Sequence, residues 1–174
     1  MKKIFLSLTA GFVFIIISCN DKTAGTSTGL STQAQKNLDA SREISKAFGS
    51  GDVSKIDSVV ASDFVDHTAD RGDVGRDSLK AMMVMVNREF PDSKMETLKE
   101  FADDDFVFTQ MRFTGTSNGQ MGMPVGPYDM RAIQVTKFRD GKAVEHWEYM
   151  EMADMMKMMA AMSPTNKPDT TKTK

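Results

Sequence analysis

The sequence predicts an α+β fold on three observations. Apolar residues recur at helical spacing up to Pro91, they alternate along the chain after it, and two turn signals, Ala102-Asp103-Asp104-Asp105 and Asp140-Gly141, separate the alternating runs into antiparallel hairpins. Helices followed by antiparallel strands point to this class.

The first helix is carried by Ala34, Leu38, Ile44 and Phe48, which fall approximately on one face, and Gly49 and Gly51 break it. Asp52 can cap a short second helix whose Val53, Ile56, Val59 and Val60 share a face. A third begins near Asp77, spaces Leu79, Met82, Met83, Val86 and Phe90 helically, and stops before Pro91. The stretch DFVDHTADRGD, 63–73, is then the connection between helices two and three. Residues 95–101 and 106–116 read as one hairpin, and 130–139 and 142–151 as another, with Asp140-Gly141 suited to the positive dihedrals of a two-residue turn. The glycine-rich segment 119–126 precedes a strand and lacks a phosphate-loop lysine, so it reads as a hairpin connection. The closing MEMADMMKMMAAM places Met152, Met155, Met156 and Met159 at helical spacing. Soft thioethers can bind copper(I), but without histidine or cysteine beside them the methionines read as gap-filling residues of a helix.

The two ends differ from this core. Met1-Lys2-Lys3 followed by a nearly unbroken apolar run, 4–17, reads as a signal peptide over 1–18 rather than a membrane span. Cys19 is the only cysteine, so no internal disulfide can form. Ile16-Ile17-Ser18-Cys19 resembles a bacterial lipobox, which implies cleavage before Cys19, its lipidation, and an exported lipoprotein anchored to a membrane of the bacterial cell envelope. Residues 19–32, poor in apolar side chains, read as a flexible tether, 33–162 as the folded domain, and 163–174 as a disordered tail. Loss of Lys2 and Lys3 leaves 20 basic against 24 acidic side chains, a net of about −4. With dispersed cations and no aromatic residues among them, the chain has no nucleic-acid surface pattern.

Several phrases in order carry a resemblance: GSGD at 49–52, SDFVDH at 62–67, FPD at 90–92, FTGTSNGQMGMPVG at 113–126 and FRDGKAVEHWEYME at 138–151. Together they resemble the SnoaL-like polyketide cyclase (ester cyclase) family, within the nuclear-transport-factor-2-like superfamily. The resemblance implies a curved antiparallel sheet wrapped around the N-terminal helices and a cone-shaped pocket for a small apolar or polycyclic carbonyl ligand. It also implies carboxylate acid/base chemistry of the cyclase or isomerase type with no metal or other cofactor, and frequent homodimers through the outer sheet face.

Alternation along the last strand sets Glu145, Trp147, Tyr149 and Glu151 on one face and His146, Glu148 and Met150 on the other. The family's acidic residue four positions after the tryptophan falls on Glu151, here Glu where Asp is usual, and the histidine of its aspartate-histidine phrase falls on His67. Glu151 is thus the expected acid/base and His67 its assistant, with Trp147, Tyr149, Arg112 and Phe108 as ligand-binding candidates. On the middle strand Phe106, Phe108, Gln110 and Arg112 share a face and Met111 and Phe113 the other, and either set can be internal. Asp63, Asp66, Asp70 and Asp73 surround His67 without the spacing of a calcium loop, and a single local histidine is too few nitrogen ligands for zinc. Asp66 is expected to brace the loop, and Asp70, Arg71 and Asp73 to be solvated. A binding or protein-interaction domain without catalysis is the competing expectation.

Overall fold

The computed structural model describes residues 29–68 and 72–162. The expected signal segment, Cys19, most of the tether, Asp70, Arg71 and the tail lie outside them. In chain order the elements are α1 (Thr32–Ser50), α2 (Ile56–Val59), β1 (Val60–Thr68), β2 (Gly72–Val74), α3 (Arg76–Glu89), β3 (Lys94–Ala102), β4 (Phe106–Ser117), β5 (Gly126–Arg139), β6 (Lys142–Met150) and α4 (Met152–Met162). The six strands form one curved sheet in the order β2-β1-β6-β5-β4-β3. All neighbours are antiparallel except β1 and β6, which run parallel. Helices α1 and α3 cover one face of this sheet. The α+β expectation holds.

Helix α1 starts at Ser31, whose hydroxyl accepts the Ala34 N–H at 2.9 Å, and ends at Gly51, whose φ of 72° supplies the left-handed stop. It also holds both hairpin turns. The fully buried Asn37 donates to the carbonyls of Asp103 and Asp104, and Lys36 Nζ donates to the carbonyl of Asp140 at 2.9 Å. Asp140 and Gly141 take φ of 56° and 77°, as the two-residue turn requires. Beneath α1 the core gathers Leu38, Ile56, Val60, Phe64, Leu79, Met83, Val107, Phe138 and Ala143.

Two expectations are corrected. The second helix has four residues, and Val60 opens a nine-residue strand, so residues 63–68 of DFVDHTADRGD are not a connection but most of β1. A register break between Val60 and Val65 hides the strand in the sequence: it interrupts the two-residue period, and Asp66 and His67 pair with β6, far away in sequence. Asp52 closes a turn onto the Ser54 N–H at 2.9 Å instead of capping α2. At the other end β6 stops at Met150, and the Glu151 carbonyl accepts the N–H groups of Asp154 and Met155. Glu151 is therefore the hinge between strand and helix. The glycine-rich segment is the β4–β5 connection, fastened to α3 where Gln120 Nε2 donates to the Glu89 carbonyl at 2.6 Å.

Candidate functional site

Strand alternation sorts the chemistry-bearing side chains onto two faces, and burial identifies which face meets the helices. On β4 the buried set is Val107, Thr109 and Met111. On β5 it is Ala132, Thr136 and Phe138. By register, His146 of β6 lies opposite Thr136, and Glu148 opposite Gln134, on this inner face. Phe108, Gln110 and Arg112 of β4 point the other way, with Ile133, Val135 and Lys137 of β5 and Glu145, Trp147 and Tyr149 of β6.

The inner face holds a histidine–aspartate pair. Asp66 of β1 and His146 of β6 are register partners across the parallel ladder, and Asp66 Oδ1 lies 2.7 Å from His146 Nδ1. Their side chains are 14% and 18% exposed. His146 borders a cavity of about 20 Å³ enclosed by Ser41, Ile44, Ser45 and Phe48 of α1, Phe64, Leu79, and Gln134, Thr136 and Ala143 of the sheet. That volume admits about one water molecule. Gln134 also donates to Glu148 Oε2 at 2.8 Å. Ser45 borders a second, solvent-open groove of about 900 Å³ between the C-terminal half of α1 and strands β3 and β4, floored by Met95, Thr97 and Met111. Among the described residues no group of three or more His, Cys, Asp or Glu side chains is arranged to hold a metal ion.

The residues singled out from sequence lie on the outer face. His67 stacks on Trp147, its register partner, with ring centroids 4.8 Å apart and planes 17° from parallel. Its Nδ1 lies 2.8 Å from Asp73 Oδ1 and its Nε2 3.4 Å from Glu145 Oε2, while Lys137 Nζ donates to the other Glu145 oxygen at 2.7 Å. Asp73, chiefly, and Glu145 raise the His67 pKa above its ordinary value against the opposing effect of burial. Lys137, chiefly, and His67 hold the Glu145 carboxyl below its usual range.

Glu151 keeps the face of Trp147, as alternation requires, and accepts from Gln110 Nε2 at 3.3 Å. It stands four residues beyond the indole that His67 covers, about 13 Å at the usual strand rise. His67 and Glu151 are therefore not brought together. Arg112 is engaged by Asp129 at 2.8–2.9 Å and by Glu96, although it also edges the open groove. Phe108 and Tyr149 are exposed on the same outer surface. Asp66, expected to brace the loop, is a β1 residue whose carboxylate meets His146, and Asp73, though mostly solvated, lies 2.8 Å from His67 Nδ1.

The pair that sequence reasoning missed, Asp66 and His146, left one usable trace. Alternation already separated His146 from Trp147, and a strand reading of 60–68 would have set Asp66 opposite His67. Phe108, Trp147 and Tyr149 have the composition of pocket walls in sequence, yet they lie on the outer face.

The family model for SnoaL-like polyketide cyclases matches residues 38–159. No curated protein is a significant match to the chain. Among solved structures, the candidate hydroxylase AclR of Streptomyces galilaeus is 25% identical, covers 75% of this chain and 99% of its own, and superposes with a TM-score of 0.60. Wild-type IdmH of Streptomyces antibioticus, a candidate polyketide cyclase, is 23% identical over 71% of this chain and 98% of its own, with a TM-score of 0.59. A SnoaL-like polyketide cyclase from Agrobacterium tumefaciens keeps the fold at 13% identity, with coverage of 71% and 97% and a TM-score of 0.61. With the family model spanning most of the chain and the six-stranded sheet beneath it, the protein belongs to the SnoaL-like polyketide cyclase family.

Proposed function

We propose that this SnoaL-like domain is a cofactor-free acid/base catalyst of the cyclase or isomerase type, acting on a small carbonyl compound with His146 and Asp66 as its working pair. The observation that carries this reading is the 2.7 Å contact between two largely buried side chains beside the cavity under α1. Asp66 engages Nδ1, which leaves Nε2 to take a proton from a carbon next to a carbonyl and return it elsewhere on the same molecule. Such transfer needs no second substrate and no redox partner. Ser41, Ser45, Gln134 and Thr136 offer hydrogen bonds to the ligand's oxygens. A ring-sized ligand exceeds the closed cavity, so its entry displaces lining side chains of α1 such as Ile44 and Phe48. Glu151, expected from sequence to be the base, becomes on this reading the residue that joins β6 to α4.

Proton exchange at the carbon beside the carbonyl of a small aryl ketone, followed by NMR in deuterated buffer, tests the reading with a simple probe in place of the natural substrate. Catalysed exchange that disappears in His146→Gln supports it. Exchange at the uncatalysed rate across a panel of ketones refutes it.

A second reading, a non-catalytic binding or interaction domain, draws support from the outer sheet face, where Phe101, Phe108, Ile133 and Tyr149 are all exposed. A second copy seated on that face would bury them and form a homodimer. In either reading, export and lipidation at Cys19 would tether the domain to an envelope membrane. Metabolic labelling with a fatty-acid analogue, lost in Cys19→Ser, tests the anchor.

A further inference from the structure

Helix α4 is attached to the sheet through few side chains. Asp154 is buried, where it accepts the Arg131 N–H at 2.9 Å, and Met158 is half-buried. By contrast Met152, Met155, Met156, Met159 and Met162 are 66, 37, 63, 61 and 51% exposed. These methionines do not fill gaps, contrary to the sequence expectation.

At the helical repeat the five exposed methionines fall within one arc of about 120°, beside the edge that Asp154 and Met158 turn to the sheet. Apart from alanines, they are the helix's only exposed apolar side chains. A face built to dock protein or lipid would serve as well with leucine. A thioether-only face has a property leucine lacks: polarizable sulfur donors that favour soft monovalent cations. Met152, Met156 and Met159 follow one another at intervals of four and three residues, with neighbouring Cβ atoms about 5–6 Å apart. Three rotatable bonds per side chain let their sulfurs converge on one ion. The cation on this helix does not oppose that, because Lys157 Nζ is held by Asp154 Oδ1 at 3.0 Å, away from the arc.

We propose that the Met152, Met156 and Met159 face of α4 is a thioether site for copper(I), with Met155 and Met162 as exchanging ligands. Thioethers carry no proton to lose, so affinity is the same at mildly acidic and neutral pH.

The test uses the full chain carrying Cys19→Ser, so that no thiol competes. It is titrated anaerobically with copper(I) against a chromophoric copper(I) chelator. One equivalent bound per chain, with sulfur-only coordination by X-ray absorption, is the expected result. The triple variant M152L/M156L/M159L retains the apolar surface and helicity, checked by circular dichroism, and is expected to bind at least about tenfold more weakly. Binding as tight in the triple variant as in the parent overturns the proposal. So does a parent that leaves all the copper with the chelator.

Discussion

Asp66 and His146 stand opposite each other on the two strands of the sheet that run parallel, and their side chains meet at 2.7 Å. Strand β1 enters beside β6 after only a one-turn helix, so two residues 80 positions apart become register partners. The next pair along the ladder, His67 and Trp147, points to the opposite face. One residue of register thus separates an inward acid/base pair from an outward stacked one.

The His146 tautomer follows from this contact. With Asp66 accepting, the proton sits on Nδ1 and the lone pair on Nε2. Nitrogen-15 NMR of the neutral imidazole is expected to show the Nδ1–H form in the parent and a mixture in Asp66→Ala. The Nε2–H form in the parent would contradict the assigned geometry.

The outer histidine makes stability depend on pH. Since the folded His67 pKa is raised, its contribution is fully present below the unfolded value, about 6.5, and is lost as pH rises through the higher folded value. Asp73→Asn removes the first of its causes, so the His67 titration shifts down and the pH slope of stability in that window flattens. Two-dimensional NMR titration of parent and variant measures both the direction and the midpoint.

Asp154 ties α4 to β5 and depends on its charge. Lys157, chiefly, and the Arg131 N–H hold its carboxyl below the usual range. Its stabilisation is therefore present above the ordinary carboxylate pKa, about 3.9, and is lost as pH falls through the lower folded value. Asp154→Ala leaves the Arg131 N–H without its acceptor. Hydrogen exchange at that amide is expected to quicken up to about tenfold at neutral pH, the scale of one net hydrogen bond.

Core packing under α1 is predicted to dominate stability. Ile56 and Met83 are both fully buried in the central cluster. Met83→Ala should cost about 2–5 kcal/mol in denaturant unfolding, through lost burial and the void left behind. A surface change such as Lys99→Ala should stay within about 0.5 kcal/mol.

The helices and hairpins were legible because local patterns determine them. The stop at Pro91, the Asp140-Gly141 turn and the break at Gly51 are chemical signals that tertiary contacts did not override. Strand β1 was not legible, since a register break interrupts its period, its sequence neighbour β2 is only three residues long, and its other partner, β6, is far away in sequence. Alternation told correctly that Trp147, Tyr149 and Glu151 share a face. It carried no information on which face the helices cover. That choice rests on α1 and α3 packing over Val107, Phe138 and Ala143, and it moved the candidate acid/base pair from His67 and Glu151 to His146 and Asp66.

The most direct measurement compares catalysed proton exchange on a small aryl ketone in the parent, His146→Gln and Glu151→Gln, each confirmed folded by circular dichroism. His146→Gln is expected to slow exchange by at least about 100-fold, the lower end of general acid/base contributions, while Glu151→Gln stays within a few-fold of the parent. A loss confined to Glu151→Gln, with His146→Gln still active, would contradict it.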